Sequence, residues 1–134
     1  METQEYKSLK KIHAVFCIGT TTVLFVNHYI KKISFDNLSG EIDTPSLFII
    51  GFGTVMAVLS VIIFNKTRGS DQQSKTDCIK LRKAYIIKWA VLEGAVLLSF
   101  TYYFYLNGHQ LTLLSGFTLL ILLVISSPKL VTHE

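Results

Sequence analysis

The sequence predicts an all-α, polytopic membrane protein whose four transmembrane helices form two helical hairpins within a single domain, residues 1–134. Half of the 134 residues are hydrophobic, and the mean hydropathy of +0.45 is too high for a soluble domain of this size. An apolar segment of about 17–25 residues crosses a hydrocarbon core about 30 Å thick. The chain has four candidate segments, and we expect helices at about 12–30, 47–64, 75–105 and 111–126.

The first helix follows a basic run and could be taken for a secretory signal. It is too long for one, ends in the polar residues Asn27 and His28, and has no small-residue cleavage pattern. We therefore expect a retained transmembrane helix.

Local signals predict where the second and third helices start. Thr44 followed by Pro45 is typical of an N-cap with proline at the first helical position. The stretch from Ser74 to Asp77 fits a looser capping box, so the third helix is expected to begin near Lys75, before its apolar part. The hydrophilic loop 65–83 separates the two predicted hairpins.

Lysine and arginine are distributed unevenly between the two sides of the predicted bundle. Two of them, Lys31 and Lys32, lie in the first loop. Ten lie in the termini and the middle loop: Lys7, Lys10, Lys11, Lys66, Arg68, Lys75, Lys80, Arg82, Lys83 and Lys129. The positive-inside rule then predicts cytoplasmic N and C termini, in the inner membrane of a bacterium. These charges attract anionic lipid, and no nucleic-acid-binding motif accompanies them.

Amphipathic rings and long basic side chains are expected at the membrane–water interfaces. Lys88 lies one turn inside the third apolar segment, so it can snorkel to the cytoplasmic surface; a contact with His13 or with another subunit is the alternative. The predicted interface residues are Lys88, Trp89, Tyr102, Tyr103 and Tyr105.

Glu93 stands near the middle of the third apolar segment. It lies about 13 Å into the membrane, where a carboxylate is costly unless it is protonated, paired or facing water. Residues at equal depth in the first helix, Thr20, Thr21 and Thr22, offer hydroxyl partners. Two readings remain open: a neutral Glu93 that hydrogen-bonds between helices, or an ion- or proton-binding site with the threonines as co-ligands.

Small residues spaced four apart favour close helix contacts in a membrane. Ala90 and Gly94 form one such pair beside Glu93, and Gly53 and Ala57 form another in the second helix. We expect all four at helix–helix interfaces, with Glu93 facing protein.

No sequence feature predicts catalysis, a cofactor or a metal site. Nucleophile motifs, phosphate loops and paired catalytic carboxylates do not occur. His28 and His109 have no compact ligand spacing with the acids of the first loop. Cys17 and Cys78 are predicted at different depths, as free thiols.

The stretch from Ala84 to Phe100 resembles a family of small four-helix integral membrane proteins, common in Bacteroidota, whose function is uncharacterised. The resemblance rests on Lys88, Trp89, Ala90, Leu92, Glu93, Gly94 and Ala95, and on the opening Leu9-Lys-Lys-Ile-His-Ala. A fainter likeness to the rotor proteolipids of rotary ATPases lies in the hairpins and the mid-membrane glutamate. The proteolipid acid usually lies on the second helix of its hairpin, whereas Glu93 is predicted on the first.

These observations predict a non-enzymatic inner-membrane protein that acts by helix–helix association, as a homo-oligomer or as an accessory subunit of a larger membrane complex. The partners expected are the lipid bilayer and another membrane protein or a second copy, without nucleic acid or a soluble small-molecule substrate. The alternative is a proton- or cation-coupled transport element that uses Glu93.

Overall fold

The computed structural model describes residues 3–33, 40–67 and 75–128, and within these ranges the chain is all-helical, as predicted. It contains four helices: α1 (Thr3–Lys31), α2 (Thr44–Thr67), α3 (Lys75–Tyr105) and α4 (Gln110–Ile125).

Three of the helices are long and apolar enough to cross a membrane. The qualifying segments are Gln4–Lys31, Thr44–Thr67 and Ile79–Tyr105, with mean hydropathies of 1.4, 2.7 and 1.4. The apolar helix α4 has 16 residues, and at 1.5 Å per residue its length is about 24 Å, less than the hydrocarbon core. The helices are therefore those of a membrane protein with three helices of spanning length and a shorter fourth.

The four helices occur in the predicted order, and their ends can be compared with the predicted ones. α3 begins at Lys75 and ends at Tyr105, as expected. α1 begins at Thr3, well before the predicted start near residue 12. The reason is amphipathicity before the apolar stretch, because Leu9 is fully buried while its neighbour Lys10 is exposed.

The start of α2 is capped one residue earlier than the sequence predicted. The Asp43 carboxylate accepts hydrogen bonds from the Ser46 backbone N–H (3.2 Å) and from the Ser46 hydroxyl (2.6 Å). Thr44 was predicted as the N-cap, but Asp43 satisfies the free N–H in the first turn of the helix. The capping box predicted before α3 lies outside the side chains that the structure describes.

α3 is the central helix, in contact with α1, α2 and α4. α2 and α1 each also contact α4, but in the described residues α1 does not contact α2. The sequence predicted two hairpins; α3 and α4 pack directly on each other, whereas α1 and α2 are not a packed pair. Burial on α3 explains this order, because α3 has buried residues from Ala84 to Phe104 while α2 buries only Ser46, Gly53 and Ser60.

Neighbouring contacts define two ends of the bundle. At the terminal end, His13 near the start of α1 contacts Leu123 near the end of α4. At the turn end, where α3 turns into α4, Asn27 contacts Tyr105, and His109 contacts Ser46. The described start of α1 and the described end of α4 thus lie at the same end.

Close packing joins α3 and α4 around Phe100. Phe100 is fully buried and meets Phe117 edge-on, with ring centroids 5.7 Å apart. A Cβ added to Gly116 would lie 2.5 Å from the Phe100 ring, and one added to Gly108 would overlap the Tyr102 ring. These two glycines let α3 and α4 approach closely.

Candidate functional site

A row of polar side chains lies in the seam where α1 packs on its neighbours. His13, Thr20 and Asn27 are 8%, 0% and 8% exposed. They are seven residues apart, so they return to one face of the helix. We call these three residues the polar seam. Each of them hydrogen-bonds to a different position on α3 or α4.

His13 and Trp89 fasten α1 and α3 to the end of α4. His13 Nε2 lies 2.7 Å from the Leu123 carbonyl oxygen, and Trp89 Nε1 donates to the Ser126 carbonyl oxygen at 3.0 Å. The two rings also pack together, with centroids 4.8 Å apart. The last four carbonyls of a helix have no partner within the regular helical ladder. The Leu123 carbonyl also accepts from the Ser126 N–H and hydroxyl, so His13 is an additional partner for it, while Trp89 satisfies the Ser126 carbonyl.

Glu93 contacts the middle member of the polar seam. The Thr20 hydroxyl lies 3.4 Å from Glu93 Oε1 and 2.7 Å from the Phe16 carbonyl oxygen. A hydroxyl has one proton to donate, and the shorter distance shows that Thr20 donates it mainly to the Phe16 carbonyl. The half-buried Glu93 carboxyl therefore receives only a long, weak hydrogen bond from the described residues.

The structure separates the three threonines predicted as co-ligands. Only Thr20 reaches Glu93. The hydroxyls of Thr21 and Thr22 each donate at 2.7 Å to a backbone carbonyl one turn earlier in α1, those of Cys17 and Ile18. A joint site of Glu93 with all three threonines is thus not formed, because threonine hydroxyls in a helix bond back to the preceding turn.

Cys17 lies between the terminal end and Glu93. Its sulfur is 3.6 Å from His13 Nε2, and the Glu93 carboxyl is close enough to interact with it electrostatically. Cys17 is a free thiol, as predicted; the side chain of Cys78 lies outside the described part. We call His13, Cys17, Thr20 and Glu93 the polar line; its direct contacts are those of His13 with Cys17 and of Thr20 with Glu93.

The third member of the polar seam joins α1 to the end of α3. Asn27 Nδ2 donates to the Val23 carbonyl at 2.8 Å, and Asn27 Oδ1 accepts the Tyr105 hydroxyl. The Lys31 ammonium lies 4.8 Å above the Tyr105 ring. This group ties the two helices at the turn end.

The predicted interface residues have different surroundings. Trp89 is fully buried among aromatic rings, and its position at the membrane interface stays a prediction. The Lys88 ammonium lies 5.0 Å above the Phe64 ring. Tyr102 donates to Asp43 at 3.3 Å, Tyr103 is half-buried beside Phe104, and Tyr105 is exposed.

The four predicted packing residues divide into two pairs. Gly53 is buried in α2, and a Cβ there would lie 3.0 Å from Leu119; Ala57 packs on the edge of the core. Ala90 and Gly94 are exposed, and a Cβ at Gly94 would meet no atom within 4 Å. Packing of Ala90 and Gly94 against another chain stays a prediction.

Sequence reasoning selected Glu93 and Thr20 but missed His13, Cys17 and Asn27 as parts of the same seam. The available signal was the seven-residue spacing of His13, Thr20 and Asn27. Within the described part of the chain, no group of three or more His, Cys, Asp or Glu side chains could hold a metal ion. The side chains of the polar seam join α1 to α3 and α4 by hydrogen bonds.

Comparisons with protein-family models, with curated proteins and with solved structures give no match to this chain.

Proposed function

We propose that this protein is a non-enzymatic integral protein of the bacterial inner membrane that acts by helix–helix association. It would work as a homo-oligomer or as an accessory subunit of a larger membrane complex. The unequal charge of the two sides supports cytoplasmic termini, and the contact of His13 with Leu123 supports both termini lying on the same side.

One observation carries the proposal: among the described residues Glu93 receives only the long bond from Thr20, and it adjoins an open strip of small residues on α3. Its contact to Thr20 is 3.4 Å long, and Ala90 and Gly94 beside it are exposed. An acid at mid-membrane depth costs about 2.5–3.5 kcal/mol on insertion scales unless it finds partners. Small residues allow a second helix to approach and to offer such a partner.

A matched pair of glycines tests the association. Gly94 and Gly51 are both exposed helical glycines with no atom within 4 Å of an added Cβ. We expect Gly94→Leu to reduce self-association or partner capture at least tenfold, and Gly51→Leu to leave it near the wild-type level. The measurement is the particle mass in mild detergent by light scattering after size exclusion, with co-purified proteins identified by mass spectrometry.

Two results would contradict the proposal. A wild-type protein that stays a stable monomer and co-purifies with nothing has no association to explain. Equal losses in Gly94→Leu and Gly51→Leu would show that the α3 strip has no special role.

Transport of protons or cations is the second candidate, and the polar line from His13 through Cys17 to Glu93 favours it. Under this hypothesis, Glu93→Gln abolishes flux through liposomes containing the protein while the fold persists. Glu41→Gln, which changes an exposed acid outside the helices, is the matched control. Equal and negligible flux in wild type and Glu93→Gln would exclude transport.

Substitution of Glu93 also separates the two functions through assembly. If Glu93 is a protonated hydrogen-bonding group, Gln preserves its size and bonding and leaves the oligomer nearly unchanged, while Ala weakens it by about 1–2 kcal/mol. Under the association proposal, a carboxyl-reactive carbodiimide labels Glu93 slowly because the partner covers it. Rapid, pH-dependent labelling would instead support ion traffic.

A further inference from the structure

A cleft of about 500 Å³ opens at the turn end, between the last turn of α1 and the turn that joins α3 to α4. It is separate from the polar line around Glu93. Its lining contains two lysines and one acid among polar and aromatic groups: Lys31, Lys32, Asp43, Tyr103, Phe104, Asn107, Gly108, His109 and Gln110.

The described residues that line this cleft carry two lysine charges against the one carboxylate of Asp43, so their formal charge is positive. Among the described residues neither Lys31 nor Lys32 has a carboxylate partner; the Lys31 ammonium lies only over the Tyr105 ring. Asp43 is already engaged by Ser46 and by the Tyr102 hydroxyl. These hydrogen bonds to the charged form hold the pKa of Asp43 below its usual value, with the Ser46 hydroxyl the largest cause.

The backbone fixes the two lysines at the end of α1. Lys32 has a positive φ of 49°, and its N–H donates to the His28 carbonyl at 2.8 Å. This left-handed residue closes the last turn of the helix. Lys31 and Lys32 are thereby held beside the cleft at the point where the chain leaves α1.

The cleft lies where the long apolar helices end. One spanning segment ends at Lys31, another begins at Thr44 and the third ends at Tyr105. In a bilayer this level is the headgroup region, where tyrosine rings and lysine side chains are favoured and where lipid phosphates lie.

A shallow apolar groove on α1 adjoins the cleft. It is lined by Phe25, Val26, His28, Tyr29, Ile30 and Lys32, so that Lys32 borders both spaces. Phe25 and Tyr29 are 67% and 89% exposed. The pair of spaces thus offers ammonium groups beside a hydrocarbon surface that runs toward the membrane interior.

We propose that the cleft and groove bind an anionic phospholipid, with the phosphate at Lys31 and Lys32 and an acyl chain along the groove. The charge of the cleft selects an anionic headgroup, and the apolar groove distinguishes a lipid from free phosphate. The proposal rests on the chain lying in a bilayer, as in the proposed function, but not on self-association.

The chain contains a closely matched control. Lys10 and Lys11 are also adjacent and exposed, and the Lys10 ammonium lies 5.1 Å over the Tyr6 ring, as Lys31 lies over Tyr105. This pair is at the terminal end, far from the cleft. The variants are Lys31→Gln/Lys32→Gln, the control Lys10→Gln/Lys11→Gln, and Lys31→Arg/Lys32→Arg, which retains both charges.

Binding is measured by native mass spectrometry of the full chain, delipidated in mild detergent and titrated with phosphatidylglycerol, phosphatidylcholine or inorganic phosphate. We expect wild type to prefer phosphatidylglycerol to phosphatidylcholine, and phosphate at the same concentration not to displace it. Lys31→Gln/Lys32→Gln should weaken binding about 30-fold, since each lysine near a membrane surface contributes about a factor of five. The control pair loses only the general attraction between surface charge and anionic lipid, so it should weaken binding far less than Lys31→Gln/Lys32→Gln does, and the arginine variant should bind like wild type. Circular dichroism checks the fold of each variant.

Several outcomes overturn the proposal. Absence of preference for phosphatidylglycerol in wild type removes the charge argument, and displacement by inorganic phosphate makes the cleft a free-anion site. Equal weakening by the two glutamine pairs shows general surface charge. If the oligomer persists but the cleft does not bind lipid, only the lipid-binding proposal is refuted. If the protein is a monomer that still binds lipid, only the association proposal is refuted.

Discussion

Adding one methyl group at Gly116 measures how tightly α3 and α4 pack. The new Cβ in Gly116→Ala would lie 2.5 Å and 2.7 Å from two carbons of the Phe100 ring and 3.2 Å from Ser99 Cβ. Phe100 is fully buried and held edge-on by Phe117. The ring has no space to turn away, so the helices must separate.

The expected magnitude follows from two opposing terms. Overpacking costs about 1–3 kcal/mol, while replacing glycine by alanine inside a helix contributes about 0.8–1.0 kcal/mol in favour of folding. Gly94→Ala experiences only the second term, since no atom lies within 4 Å of its added Cβ. The propensity term cancels between the variants, so Gly116→Ala should be less stable than Gly94→Ala by about 1–3 kcal/mol.

The assay is reversible unfolding in mixed micelles of mild detergent and SDS, followed by circular dichroism. Alanine remains a small residue, so Gly94→Ala should keep the wild-type particle mass, which is checked in parallel. Equal stability of the two variants, within about 0.5 kcal/mol, would refute close α3–α4 packing at Gly116.

The remaining predictions concern single contacts. Trp89→Phe should lower the free energy of unfolding by about 2 kcal/mol, because the Ser126 carbonyl loses its donor and a small cavity opens; an unchanged unfolding curve in the same assay would argue against this contact. Tyr105→Phe and Asn27→Leu, singly and combined, should show a coupling energy of about 0.6 kcal/mol, at most about 1.7, whereas strictly additive effects would mean that the hydrogen bond does not stabilise the fold. Because the folded-state pKa of Asp43 is lowered from 3.8, its stabilising effect is complete above that pH and is lost as the pH falls through the folded value. Melting temperatures between pH 7 and pH 2.5 should therefore fall less steeply below pH 4 in Asp43→Asn than in wild type, and parallel curves would contradict the Asp43–Ser46 contact.

The sequence by itself determined the helical class and the apolar part of each helix, but not the early start of α1 at Thr3. A chain that leaves water must satisfy its backbone hydrogen bonds within each helix. Segment length and hydropathy, which are local properties of the sequence, therefore predict where a helix forms. For this reason the bounds of α3 agree with the prediction. The capping of α2 was predicted within one residue, since Asp43 and Thr44 are both good N-cap residues and only the geometry selects between them.

Only the tertiary structure decided which side chains meet. α1 and α2 both pack on α3 and do not contact each other in the described residues, although they are neighbours in the chain. Thr20, Thr21 and Thr22 are chemically alike, and the rotation of α1 brings one hydroxyl to Glu93. The same rotation of α1 buries His13. The His13 and Trp89 rings then each reach a backbone carbonyl at the end of α4. Such contacts join residues 37, 73 and 110 positions apart, so they depend on how the helices pack and not on any local pattern.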